Sequence, residues 1–81
     1  MLSLSAKTKL KPEQVIKQAV DFFGPKGYKL NVTNQAVDYI VFEGGGGGVE
    51  VTTSVDGKQT SVDLVSREWD YQVKEFMTKL K

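Results

Sequence analysis

Between Val49 and Ser66 the chain alternates apolar and polar residues on both sides of an Asp56-Gly57 pair, with Val49, Val51, Thr53 and Val55 leading in and Val62 and Leu64 leading out. Period-two alternation marks a strand with one buried face. Asp-Gly is a strong two-residue hairpin signal, because a type I′ turn needs positive φ at its central positions. The stretch therefore predicts an antiparallel hairpin whose return strand runs from about Gln59 to Ser66.

Upstream, Leu2, Leu4 and Ala6 alternate with Ser3, Ser5 and Lys7 through Thr8 to Leu10, which predicts a first strand. Pro12 suits a helix N-terminus, where its missing N–H costs nothing. Val15, Ile16, Ala19, Val20 and Phe23 form one stripe of a helix over 12–23, stopped by Gly24 as a left-handed cap and by Pro25. Tyr28, Leu30 and Val32 then alternate with Lys29, Asn31 and Thr33, and Asn34-Gln35 turns the chain into a central strand over Val37 to Glu43. Downstream, Ser66 is expected as an N-cap with Glu68 and Asp70 in the first turn. Trp69, Val73, Phe76, Met77 and Leu80 recur at helical spacing, and Lys74, Lys79 and Lys81 lie toward the negative end of that helix.

The order β-α-β-β-β-β-α predicts one α+β domain over residues 1–81, a two-layer sandwich with a curved antiparallel sheet and two helices packed on one face. In element order over the whole chain it resembles the TATA-binding-protein-like folds and, in shortened form, the helix-grip domains of the START and Bet v 1 proteins. That resemblance implies a binding domain, since such folds include DNA binders, lipid binders and protein-docking domains.

Composition narrows the chemistry. Eleven Lys and Arg against ten Asp and Glu leave a net charge of +1, which gives no electrostatic ground for nucleic acid as a partner. Lys7, Lys9 and Lys11 read as charges that protect an edge strand from aggregation. No histidine and no cysteine are present, which removes the commonest general base, the commonest metal ligand and any thiolate. No apolar run approaches a membrane span, so a cytoplasmic location and no membrane partner are expected.

Five consecutive glycines, Gly44, Gly45, Gly46, Gly47 and Gly48, interrupt the strands. A phosphate cradle would need a helix N-terminus after them, but Val49-Glu50-Val51-Thr52 is a strand. An interdomain linker would need a domain on each side. The run is expected instead to join two strands where the sheet bends or another element approaches the backbone, or to leave an edge to which a partner strand adds. Asp38, Glu43, Glu50, Asp56 and Asp63 read as solvated carboxylates, so no catalytic residue, metal site or cofactor is expected, and the chain is read as not an enzyme. The expected function is a small binding module that contacts an unknown protein or peptide through Tyr39, Glu43, Gly44 to Gly48 and Trp69. The alternative is a small apolar ligand held between the last helix and the concave sheet.

Overall fold

A computed structural model describes residues 2–80. The elements run β1 (Leu2–Thr8), α1 (Pro12–Phe23), β2 (Asn31–Gln35), β3 (Tyr39–Gly44), β4 (Gly47–Asp56), β5 (Gln59–Arg67) and α2 (Asp70–Lys79). Lys81, expected at the basic end of α2, lies outside the described residues. The strands form one antiparallel sheet in the order β1-β5-β4-β3-β2. α1 packs over β4 and β3, and α2 over β5 and β1, which makes the two-layer α+β arrangement.

Alternation decides which side chains meet the helices. Val49, Val51 and Thr53 of β4, and Thr60, Val62, Leu64 and Ser66 of β5, are buried, while Glu50, Thr52, Ser54 and Asp63 between them are exposed. Against this face α1 sets Val15, Ile16, Ala19 and Phe23, and α2 sets Val73 and Phe76. Phe23, Phe42 and Phe76 form the centre of the core, with ring centroids 5.6 Å apart for Phe23–Phe42 and 5.2 Å for Phe23–Phe76.

α1 occupies the residues its periodicity marks out. Its start is closed by the Lys11 N–H, which donates to Gln14 Oε1 at 2.9 Å. Its end differs from expectation, because Gly24 is extended (φ −76°, ψ −163°) rather than left-handed. The chain instead folds back, with the Tyr28 and Leu30 N–H groups donating to the carbonyls of Phe22 and Phe23 at 3.2 and 2.9 Å. Those bonds satisfy carbonyls that the helix end leaves free. They also consume the residues expected to open the second strand, so β2 begins at Asn31 and Lys29 takes φ 64°.

Two further boundaries move. The β4–β5 loop is Gly57-Lys58, because Asp56 pairs with Gln59. Gly57 has φ 66° and Lys58 does not have positive φ, which fits a type II′ rather than a type I′ turn. Ser66 remains in β5, and α2 starts at Asp70 with Trp69 at the N-cap position. The Ser66 hydroxyl still serves that end, accepting the Trp69 N–H at 3.1 Å. Glu68 takes φ 68° between strand and helix, outside the first turn.

Candidate functional site

The glycine run is a hairpin turn and the strand ends on either side of it. Gly44 pairs with Gly47, leaving Gly45 (φ 59°) and Gly46 (φ 81°) as the central residues. Positive φ at both is what a two-residue type I′ turn requires. Trp69 lies against this turn, and its indole Nε1 donates to the Gly44 carbonyl at 3.0 Å. A Cβ on Gly45 would stand 2.9 Å from Trp69 Cζ2, and one on Gly47 would overlap the Arg67 carbonyl oxygen. Tyr28 completes the cluster, its ring centroid 5.7 Å from that of Trp69.

The other expected contact residues separate from this cluster. Glu43 points to the face away from the helices and meets Arg67 at 3.6 Å across Gly48. Tyr39 lies at the far end of β3, about 17 Å along the strand from Gly44 by the rise of an extended chain. The glycine segment also offers no free edge, since β3 and β4 each pair on both sides. The volume between α2 and the sheet is likewise filled, by Val73, Phe76 and Leu80 against Val62 and Leu64.

A groove that periodicity did not reveal runs beside the first half of α1. Two depressions of about 350 and 480 Å³ share Glu13 and Val37 in their walls. One is lined further by Ile16, Lys17, Val20, Gln35 and Ala36. The other is lined by Lys11, Pro12, Asp38 and Val55. Val37 is 82 % and Val55 70 % exposed. Val37 is held out by its neighbours: the Ala36 N–H donates to the Tyr39 carbonyl at 2.9 Å, and Thr53 donates both its N–H (2.7 Å) and its hydroxyl (2.9 Å) to the Asp38 carbonyl. Its position is set by backbone hydrogen bonds, so the apolar wall is built into the turn.

Electrostatics are local. Lys7 and Asp56 pair at 2.8 Å, which raises the lysine and lowers the carboxyl, through their hydrogen bond first and their opposite charges second. Partial burial first, and then the Glu75 carboxylate, hold the Tyr28 phenol above its ordinary range, with the hydroxyl 3.4 Å from Glu75 Oε1. The buried polar side chains among the described residues are Thr8, Thr53, Thr60 and Ser66. No cluster of acidic side chains suited to a metal ion occurs among the described residues, and no described helix is long and apolar enough to cross a membrane.

Comparison with known proteins places the chain in a family. Residues 1–56 match the family model CbiC, precorrin-8X methylmutase, and the chain belongs to that family. No curated protein matches it. No solved structure matches it either. Membership in an enzyme family corrects the expectation that the chain is not an enzyme. That expectation leaned on the missing histidine and on reading Asp38, Glu43, Glu50, Asp56 and Asp63 as solvated carboxylates, yet Asp, Glu, Lys and Tyr also transfer protons when suitably placed. The match ends at Asp56, at the tip of the β4–β5 hairpin, so β5 and α2 lie beyond it.

Proposed function

We propose that the chain binds the substrate of a precorrin-8X methylmutase-type reaction, taking an apolar part of it into the groove between α1 and the Ala36–Asp38 turn. The observation that carries this reading is the pair of apolar side chains outside the core, Val37 and Val55, facing Pro12, Ile16 and Val20 across two joined depressions. A preformed concave surface with an apolar floor and a few polar groups at its rim is the usual form of a small-molecule site. Glu13 and Asp38 bring carboxylates to that rim, and Lys11 and Lys17 bring amines, the groups available there for orienting an ionic substituent or moving a proton. Titration of the ¹⁵N-labelled chain with precorrin-8X tests it. Amide shifts are expected at Ile16, Val20 and Val37, and Val37→Asp is expected to abolish them without unfolding a residue so exposed. Shifts elsewhere only, or binding unchanged in Val37→Asp, would overturn the reading.

A second reading keeps the contact at the glycine turn, where Trp69 and Tyr28 place two partly exposed rings beside Gly44 and Gly45. Aromatic rings with a polar tip are favoured anchors for a protein or peptide partner. Shifts confined to Gly44–Gly46 and the Trp69 indole would select it over the groove.

A further inference from the structure

Positive backbone angles gather around one pair of rings. Glycine apart, the described residues with positive φ are Lys29 (64°) and Glu68 (68°). Lys29 directly follows Tyr28 and Glu68 directly precedes Trp69, while Gly45 and Gly46, also with positive φ, form the turn against which Trp69 lies. Left-handed backbone in a residue that carries a side chain is costly, and it persists where the surroundings fix it, often at binding sites. Its effect here is to seat two rings together that stay open to solvent, Tyr28 39 % exposed and Trp69 half-buried. We propose that these rings, with Tyr71 and Glu75 of α2, bind an organic cation, an alkylated ammonium group held against the ring faces and beside the Glu75 carboxylate. The proposal takes from the second reading above only the place of contact, and it is independent of the groove.

The charge of the ligand follows from what surrounds the rings. The Tyr28 hydroxyl stands 3.4 Å from Glu75 Oε1, which sets a carboxylate at the ring edge. The ion pairs among the described residues are Lys7–Asp56 and Arg67–Glu43, so Glu75 has no ionic partner there. Tyr71, one helical turn before Glu75, brings a third ring and is 72 % exposed. It is close enough to add to the upward push on the Tyr28 phenol that burial and Glu75 exert first. A depression of about 320 Å³ adjoins Tyr71 and Glu75, its wall completed by Lys74 and Thr78. Ring faces carry negative charge and attract cations, whereas an anionic ligand would meet Glu75 with like charge. The chain itself uses this attraction nearby: Lys79 Nζ lies 5.2 Å from the centroid of Phe22, whose ring meets Tyr28 at 5.4 Å. An alkylated ammonium suits the site better than a bare one, because a compact ammonium is strongly hydrated and methyl groups cover ring surface.

Titration of the full chain with choline, against its neutral isostere 3,3-dimethylbutanol at constant ionic strength, tests the proposal. Trp69 is the single tryptophan, so its fluorescence reports the site directly. Saturable change with choline is expected, at an affinity about two- to thirty-fold above that of the isostere. Glu75→Gln is expected to weaken choline about two- to five-fold. Tyr71→Leu, which keeps apolar bulk and removes the ring, is expected to weaken it as well, and Lys74→Gln to tighten it. Circular dichroism verifies the fold of each variant. A peptide bearing trimethyllysine, compared with the same peptide unmodified, identifies the source of the cation. Tighter binding than choline assigns it to a protein side chain, equal binding to a free small molecule, and both support the proposal. Equal affinity for choline and the isostere would overturn it while leaving the rings as a contact surface. No saturable change, or choline binding indifferent to both Glu75→Gln and Tyr71→Leu, would also overturn it.

Discussion

The indole Nε1 of Trp69 donates to the carbonyl oxygen of Gly44 at 3.0 Å, joining the start of the last helix to the turn between the third and fourth strands. The bond explains two features of the chain together. A side chain at Gly45 would have to displace the indole, since its Cβ would stand 2.9 Å from Trp69 Cζ2, and Trp69 is oriented because the turn offers it an acceptor. Removing the donor while keeping a ring, as in Trp69→Phe, leaves a part-buried carbonyl unpaired. The expected loss is about 1 to 3 kcal/mol, and Trp69→Ala is expected to cost about 3 kcal/mol. Chemical denaturation followed by far-ultraviolet circular dichroism measures both without relying on the tryptophan.

Gly45 and Gly46 separate the two reasons for glycine in a turn. Both have positive φ, but a Cβ on Gly45 meets Trp69 while one on Gly46 meets nothing within 4 Å. Gly46→Asn is therefore expected to lower stability by less than about 1 kcal/mol, since asparagine tolerates left-handed backbone. Gly45→Asn adds displacement of the indole and is expected to cost at least twice as much. Equal midpoints for the two variants would contradict the packing of Trp69 on the turn.

The Lys7–Asp56 pair sets a pH window. Asp56 is held below its ordinary 3.8, so its contribution is present above that pH and is lost as pH falls through the lower folded value. Lys7 is raised above 10.5, so its contribution is present below that pH and is lost as pH rises through the higher folded value. Asp56→Asn is expected to flatten the acid and alkaline limbs of the melting temperature against pH together, and molar salt to mimic it in part. Both partners are well exposed, so the effect in the plateau between is small.

Residue pattern was a good guide where one face of an element is buried along its whole length. The stripe of Val15, Ile16, Ala19 and Phe23 located α1, and the alternation around Val51 and Leu64 located β4 and β5, because burial repeats there with the period of the backbone. It misled at Tyr28 to Leu30, where apolar alternation is real but the backbone bonds to the end of α1 instead of to a strand. The same limit hid the groove. Val37 and Val55 look like core residues, but backbone hydrogen bonds of the Ala36–Asp38 turn hold Val37 out, and Val55 lies near the tip of the β4–β5 hairpin. Tyr39 and Trp69 were expected at one site, but the five residues of β3 between Tyr39 and the turn keep them apart.

The family match and the sheet order together lead to a prediction about the chain's minimal folding unit. The match covers residues 1–56, which contain β1, α1, β2, β3 and β4. Yet β5 lies between β1 and β4, pairing with Leu2–Thr8 on one side and with Gly48–Asp56 on the other. Without it, β1 has no partner strand and β4 loses one of its two. The core also loses Val62, Leu64, Val73, Phe76 and Leu80, and Phe23 loses the ring 5.2 Å from its own. Removing several buried apolar side chains at about 1.5–3 kcal/mol each exceeds the stability of an ordinary small domain. A fragment of residues 1–56 is therefore expected to be unfolded, with collapsed amide dispersion and no cooperative melting transition. Adding a peptide of residues 57–81 is expected to restore both, because β5 can enter only by pairing with both neighbours at once. A folded 1–56 fragment would mean that β1 can pair directly with β4, a sheet different from the one described.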